Sequence, residues 1–170
     1  MPTAAILTIS DTRSAGTRTD TTTALMTEIL QSLGIEIVAT RLVPDERVEI
    51  ATAIVELAEE ANLVLTSGGT GLAPRDVTPE ATRSVLDREA PGIAEAMRAE
   101  TARIQPLAWL SRAVAGTRGT TLVVNLPCNP KAVRECLDVL APMLSHALKL
   151  SSGADGAGAH QAPSSSARPT

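Results

Sequence analysis

Apolar and polar positions along this chain keep two rhythms in turn: short, dense apolar runs, and stretches with an apolar residue every third or fourth place. Residues 4–9, AAILTI, form a run of the kind found in a strand buried on both faces. A polar loop, SDTRSAGTRTD, follows, and Asp20 stands where it can cap a helix over 21–33. Leu25, Ile29 and Leu33 share one face of that helix, and Gly34 closes it. Residues 35–43, IEIVATRLV, alternate and are β-branched, which predicts a strand. Asp45 occupies an N-cap position for a helix over 46–61, whose stripe is Ile50, Ile54, Leu57 and Ala61. NLVLTS is then a third buried strand, running into glycines.

Beyond the glycines, Thr78-Pro79-Glu80 reads as N-cap, first-turn proline and first-turn acid of a helix reaching about Arg88. Pro91-Gly92 opens another over 93–103. Residues 112–118 and 120–126 predict two strands meeting at Gly119. Asn129-Pro130 caps a final helix whose stripe is Val133, Cys136, Leu137, Leu140, Leu144 and Leu148, with Pro142 the place for a kink. From Ser151 the residues are small, polar and proline-punctuated, and 151–170 read as a disordered tail behind a domain of residues 1–150. Strands alternating with helices predict a three-layer α/β/α domain with a mostly parallel sheet. Ligands in such folds bind beyond the carboxyl ends of the strands. The loop after the first strand, Asp45 and the glycine cluster all fall at such ends.

Composition narrows the chemistry. A net charge of −4 and the absence of Phe and Tyr argue against nucleic-acid binding. No apolar run approaches the ~20 residues of a membrane span, and the N-terminus has no basic leader. Two cysteines, Cys128 and Cys136, without metal-ligand spacing, suit a reduced cytoplasmic setting. Cys136 falls on the core stripe of the last helix, and Trp109 faces either the core or a neighbouring subunit. With only Lys131 and Lys149 for lysines, an anion site must draw on arginine, backbone N–H groups or a metal.

Residues 66–78, TSGGTGLAPRDVT, place three glycines in four positions and then an Arg-Asp pair. A dinucleotide fingerprint starting at Gly69 would need glycine where Pro74 stands, and there is no Gly-Lys pair for a Walker loop. No GxSxG or HExxH motif occurs. Glycines allow consecutive N–H groups to converge on one anion; the competing reading is a tight turn that needs them sterically. Asp45 and Asp76 are open to two readings as well. Asp45 is an N-cap and Asp76 supports the next cap or pairs with Arg75, or the two together are a Mg²⁺ seat beside a phosphate loop.

The runs TSGGTGLAPRDVTPEAT and LSRAVAGTRGTTLVVNLPCNPKAVRECL, with ISDTRSAGTRTD and VPDE before them, resemble the molybdopterin adenylyltransferase family, relatives of the gephyrin G domain. The likeness runs from about Ala4 to Leu150. It implies a molybdopterin-binding-domain fold, usually a homotrimer, that transfers AMP from Mg²⁺-bound ATP to molybdopterin, releases pyrophosphate and prepares the product for a molybdenum-insertion enzyme. By that resemblance Asp45 and Asp76 are the catalytic and metal-holding acids. Ser67, Gly68, Gly69, Thr70 and Gly71 form the pterin-phosphate loop, and Ser111, Arg112, Asn125, Pro127 and Asn129 are further pocket residues. Asp11, Ser14 and Gly16 fall to the nucleotide side. Cys128 stands where the family usually has glycine, so a positive φ there would be strained. Two other readings remain open: a non-catalytic molybdopterin-binding paralog or scaffold, and an unrelated nucleotide- or sugar-phosphate-binding domain.

Overall fold

A computed structural model of the chain describes residues 1–17 and 19–153. Its elements are β1 (Thr3–Ile9), α1 (Asp11–Ser14), α2 (Thr22–Ser32), β2 (Glu36–Val43), α3 (Arg47–Glu60), β3 (Leu63–Ser67), α4 (Thr78–Arg83), β4 (Arg88–Glu89), α5 (Pro91–Thr101), a 3₁₀ turn at Pro106–Leu110, β5 (Ala115–Arg118), β6 (Thr121–Leu126) and α6 (Pro130–Ser151). The six strands make one sheet in the order β2-β1-β3-β6-β5-β4. β2, β1, β3 and β6 run parallel, and β5 and β4 complete the sheet antiparallel.

Side chains of a strand point alternately to its two faces, which explains why the central runs are apolar throughout. Ala4, Ile6, Leu63, Leu65, Leu122 and Val124 pack with Met26 and Leu30 of α2, Met97 of α5 and the α6 stripe. Ala5, Leu7, Ile9, Val64 and Val123 turn the other way, onto Ile50, Ile54 and Leu57 of α3 and Ala81 of α4. The result is the expected three-layer domain with a mostly parallel sheet. Every residue of the predicted α6 stripe is buried.

The details differ in instructive places. The inward face of α2 is Thr22, Met26 and Leu30, one residue out of phase with the expected stripe. Leu25 and Ile29 only flank the core, and Leu33, at the C-cap, is exposed. Asp20 does hold the start of α2, its Oδ1 accepting from the N–H groups of Thr22 and Thr23 at 3.0 and 3.2 Å. The helix expected to reach Arg88 stops at Arg83, because Asp87 N–H donates to Thr117 O and Ala90 N–H to Ala115 O, drawing the segment onto β5 as β4. α6 runs to Ser151. Most of the expected tail, with His160, lies outside the described residues.

One topological feature positions the site. From β1 the chain crosses to β2 through α2 on one face, then from β2 to β3 through α3 on the other. The loops leaving β1 and β3 therefore part, and a crevice opens between their carboxyl ends.

Candidate functional site

Gly68 and Gly69 have φ of 110° and 65°, in the left-handed region that favours glycine. Their bareness serves the chain's own packing. A Cβ on Gly68 would overlap the Ile9 carbonyl, and one on Gly69 would overlap the Thr78 hydroxyl and stand 3.1 Å from Asp45 Oδ1. A Cβ on Gly71 would lie 2.7 Å from Asp76 Oδ2. The glycines thus draw the loop against β1 and seat it between two carboxylates.

The loop's carbonyls are all engaged. Thr78, expected as a helix cap, instead donates its hydroxyl to Gly68 O at 2.8 Å and its N–H to Gly69 O at 3.1 Å. Arg112 N–H donates to Thr70 O at 2.9 Å, and its guanidinium to Gly71 O and Asp76 O at 2.7 and 2.6 Å while pairing with Glu80. The amides are different. Among the described residues the chain offers no acceptor to the N–H groups of Gly69, Thr70 and Gly71. Three successive free donors, on a loop whose acceptors are spoken for, are an arrangement that can receive an anion.

The acids are placed by backbone bonds rather than by capping. Asp45 does not cap α3, whose N-cap is Glu46 with no side-chain bond. Asp11 N–H donates to Asp45 Oδ2 at 2.9 Å, and Asp45 N–H returns a bond to Asp11 Oδ1 at 3.0 Å. Arg75 spans the group, donating to both oxygens of Asp11 at 2.6 and 3.0 Å, to Asp45 O at 3.2 Å and to Glu46 at 2.9 Å. Arg75, followed by the Asp45 amide, holds the Asp11 carboxyl below its usual range. Asp45 moves the opposite way, raised first by burial and then by the charges of Asp11 and Asp76. Asp76 accepts from Ala73 N–H at 3.0 Å. Asp45 and Asp76 therefore flank one loop, with Asp45 left short of positive charge, as suits a hard divalent cation. Among the described residues no group of three or more acidic, His or Cys side chains could enclose a metal. Such a cation would complete its shell with ligand oxygens and water.

Beyond the loop opens a cavity of about 290 Å³. Thr70, Gly71, Ser111, Asn125 and Pro127 line it, with an apolar wall that includes Met97, Leu107, Ala108 and Leu110. Asn125 is fully buried. Its Oδ1 accepts from Val114 N–H at 3.2 Å, and its Nδ2 donates to the Thr66 and Thr82 hydroxyls at 2.9 Å each. Other expected residues stand away from the cavity wall. The Ser67 hydroxyl is committed to Pro127 O at 2.9 Å, and Asn129 caps α6 through the amides of Lys131 and Ala132 at 2.9 and 3.4 Å. Arg112 braces the loop from behind. Ser14 and Gly16 lie on the exposed loop after β1, where the Ser14 hydroxyl donates to Asp11 O at 3.0 Å.

Cys128 is exposed, and no described non-glycine residue has a positive φ, so the expected strain at that position is absent. Cys136 is buried, its thiol pushed up to about 12 by burial and then by the Glu135 charge, and serves as core. Trp109 is exposed beside Leu107 and Leu110, which removes the core alternative for it. Thr78, Glu46 and Glu80 were not expected at the site. Thr78 gave a signal, a hydroxyl ten residues past the first loop glycine, but a capping threonine looks the same in sequence.

The chain matches the family model described as "Probable molybdopterin binding domain" over residues 5–146. It is 50% identical over 101 residues to a molybdopterin adenylyltransferase of Haemophilus influenzae, covering 58% of this chain and 51% of that protein. To the molybdopterin adenylyltransferase of Helicobacter pylori strain J99 it is 42% identical over 111 residues, covering 64% of this chain and 63% of that one. Both alignments span less than two thirds of the curated relative. The crystal structure of the molybdopterin biosynthesis enzyme MoaB of Thermus thermophilus superposes with a TM-score of 0.86 at 51% identity, covering 90% of this chain and 98% of that one.

Proposed function

This chain belongs to the molybdopterin-binding domain family, and from that premise we propose that it is a molybdopterin adenylyltransferase. It transfers AMP from Mg²⁺-bound ATP to the terminal phosphate of molybdopterin. The observation that carries the reading is the run of unpartnered amides at Gly69–Gly71 between the carboxylates of Asp45 and Asp76, at the mouth of an apolar cavity. The names of the curated relatives support it.

The amides hold the substrate's phosphate monoester, and the cavity lined by Thr70, Ser111, Asn125 and Pro127 takes the pterin. A monoester oxygen attacks the α-phosphorus of ATP, and the bond to the β-phosphate oxygen breaks to release pyrophosphate. The monoester is already ionised near neutral pH, so no general base is required and the site's task is positioning and electrostatics. Asp45 and Asp76 would hold Mg²⁺, whose charge offsets that of the polyphosphate when bound. The loop after β1, with Asp11, Ser14 and Gly16, lies on the nucleotide side, and Arg75 keeps Asp11 in place.

Asp76→Asn is expected to keep the fold and molybdopterin binding while lowering pyrophosphate release from molybdopterin and Mg-ATP by ~10²-fold or more. Near-normal release from that variant would remove Asp76 from the chemistry. Wild-type chain that binds molybdopterin and releases no pyrophosphate would make this a binding paralog or scaffold instead. The chain acts as a homotrimer in the cytoplasm and hands its product to a molybdenum-insertion enzyme. The exposed apolar group Ile104, Leu107, Trp109 and Leu110 supports a subunit interface. Among the described residues no helix is long and apolar enough to cross a membrane.

A further inference from the structure

Arg13 lies in α1, the single turn that follows β1, and is only 5% exposed. Its Nε and Nη1 groups are shielded from solvent and, among the described residues, have no acceptor. Among the described residues no carboxylate lies within ion-pair distance of it. Toward the described residues only Nη2 of the guanidinium donates, to Thr22 Oγ1 at 3.4 Å and Cys128 O at 3.5 Å, both at the outer edge of hydrogen bonding. A guanidinium cannot shed its charge, and a buried, uncompensated cation is costly. Buried donors left unsatisfied call for an explanation, and a role in receiving an ion is one.

The placement of Arg13 says where such an ion would come from. Arg13 lies on the turn leaving β1, which forms one side of the crevice between the carboxyl ends of β1 and β3. Through Cys128 it touches the turn that also receives the Ser67 hydroxyl at Pro127 and Gly68 N–H at Leu126. That turn is shared with the loop bearing the free amides. We propose that Arg13 is an oxyanion receptor for the phosphate chain of the nucleotide, with Nε and Nη1 as a two-pronged donor to phosphoryl oxygens. This rests on the adenylyl-transfer reading and adds to it a positive charge that neither the glycine loop nor the two acids provide. The prongs are buried in the fold described, but the two long Nη2 contacts resist rotation weakly, and the flanking residues Thr12 and Ser14–Thr17 are exposed. A phosphoryl group arriving in the crevice can therefore redirect the guanidinium at small cost.

The test is calorimetric binding of Mg-ATP, inorganic pyrophosphate and molybdopterin to full-length wild type, Arg13→Met and Arg13→Lys, with melting temperatures for each. Arg13→Met is expected to melt no lower than wild type, since it removes an unpaired buried charge, and to bind ATP and pyrophosphate roughly 10- to 100-fold more weakly. Arg13→Lys keeps the charge but not the fork and is expected to lose several-fold. It decides the matter if the methionine variant does not fold. ATP and pyrophosphate affinities within twofold of wild type in the folded variants overturn the proposal. So does a loss confined to molybdopterin, which would give the donors to the substrate's monoester. Wild type binding neither ATP nor pyrophosphate would overturn the adenylyl-transfer reading itself, and the proposal with it.

Discussion

Asp45 shows how one side chain can carry a cost that the fold alone does not explain. Burial, and then the neighbouring charges of Asp11 and Asp76, hold its carboxyl above the ordinary 3.8. A carboxyl with a higher pKa folded than unfolded binds its proton more tightly in the fold, so stability is lost as pH rises through the raised value. Asp45→Asn removes that loss and can still accept from Asp11 N–H. At pH 7 the variant is expected to melt above wild type. The gain should shrink to nothing as the pH falls to the ordinary carboxylate value, while pyrophosphate release is lost. Scanning calorimetry across that range checks it, and a gain independent of pH would mean Asp45 is not the titrating group. The acids were legible in sequence as acids at strand ends. Their partners were not, because Asp11 and Arg75 are 64 residues apart and Asp11 and Asp45 are 34 apart.

At the scale of the element, the glycine loop separates two kinds of bareness. Gly68 has a positive φ and faces a backbone carbonyl, so Gly68→Ala is expected to cost at least ~2 kcal/mol of stability. Gly71 has no positive φ, and a Cβ there meets only the terminal oxygen and carboxyl carbon of Asp76, which can move. Gly71→Ala should melt within a few degrees of wild type yet release pyrophosphate much more slowly, because the carboxylate is displaced. Melting and turnover measured together test both, and normal turnover in Gly71→Ala would mean the position of Asp76 is not critical. The strand that leads into the loop is tied by Asn125, whose bonds join β6 to β3, α4 and the approach to β5. Asn125→Ala strands a buried amide and two hydroxyls, and urea unfolding should show a loss of ~2–4 kcal/mol. A change under 1 kcal/mol would mean water replaces the side chain there. From sequence, Asn125 was a pocket residue by resemblance only; its cross-strand role needed the register of β3 and β6.

For the molecule as a whole, the layered fold was legible because each central strand is buried on both faces and each long helix shows its own stripe. What escaped was short. α1, β4 and the 3₁₀ turn at Pro106–Leu110 are too brief to show a period, and β4 exists because β5 offers it an edge. The phase of α2 escaped because Leu25 and Ile29 are apolar neighbours of the residues that point inward. The crevice, by contrast, follows from strand order, since crossovers on opposite faces part the loops at β1 and β3. The same topology brings the free amides and the two flanking acids together from segments far apart in the chain, with Arg13 on the turn leaving β1. The most direct measurement of what this assembly does is pyrophosphate release from purified chain supplied with molybdopterin and Mg-ATP, run beside Asp76→Asn. Release by wild type that needs both substrates and falls ~10²-fold or more in the variant is the predicted result. Wild type that binds both substrates and releases no pyrophosphate would contradict adenylyl transfer.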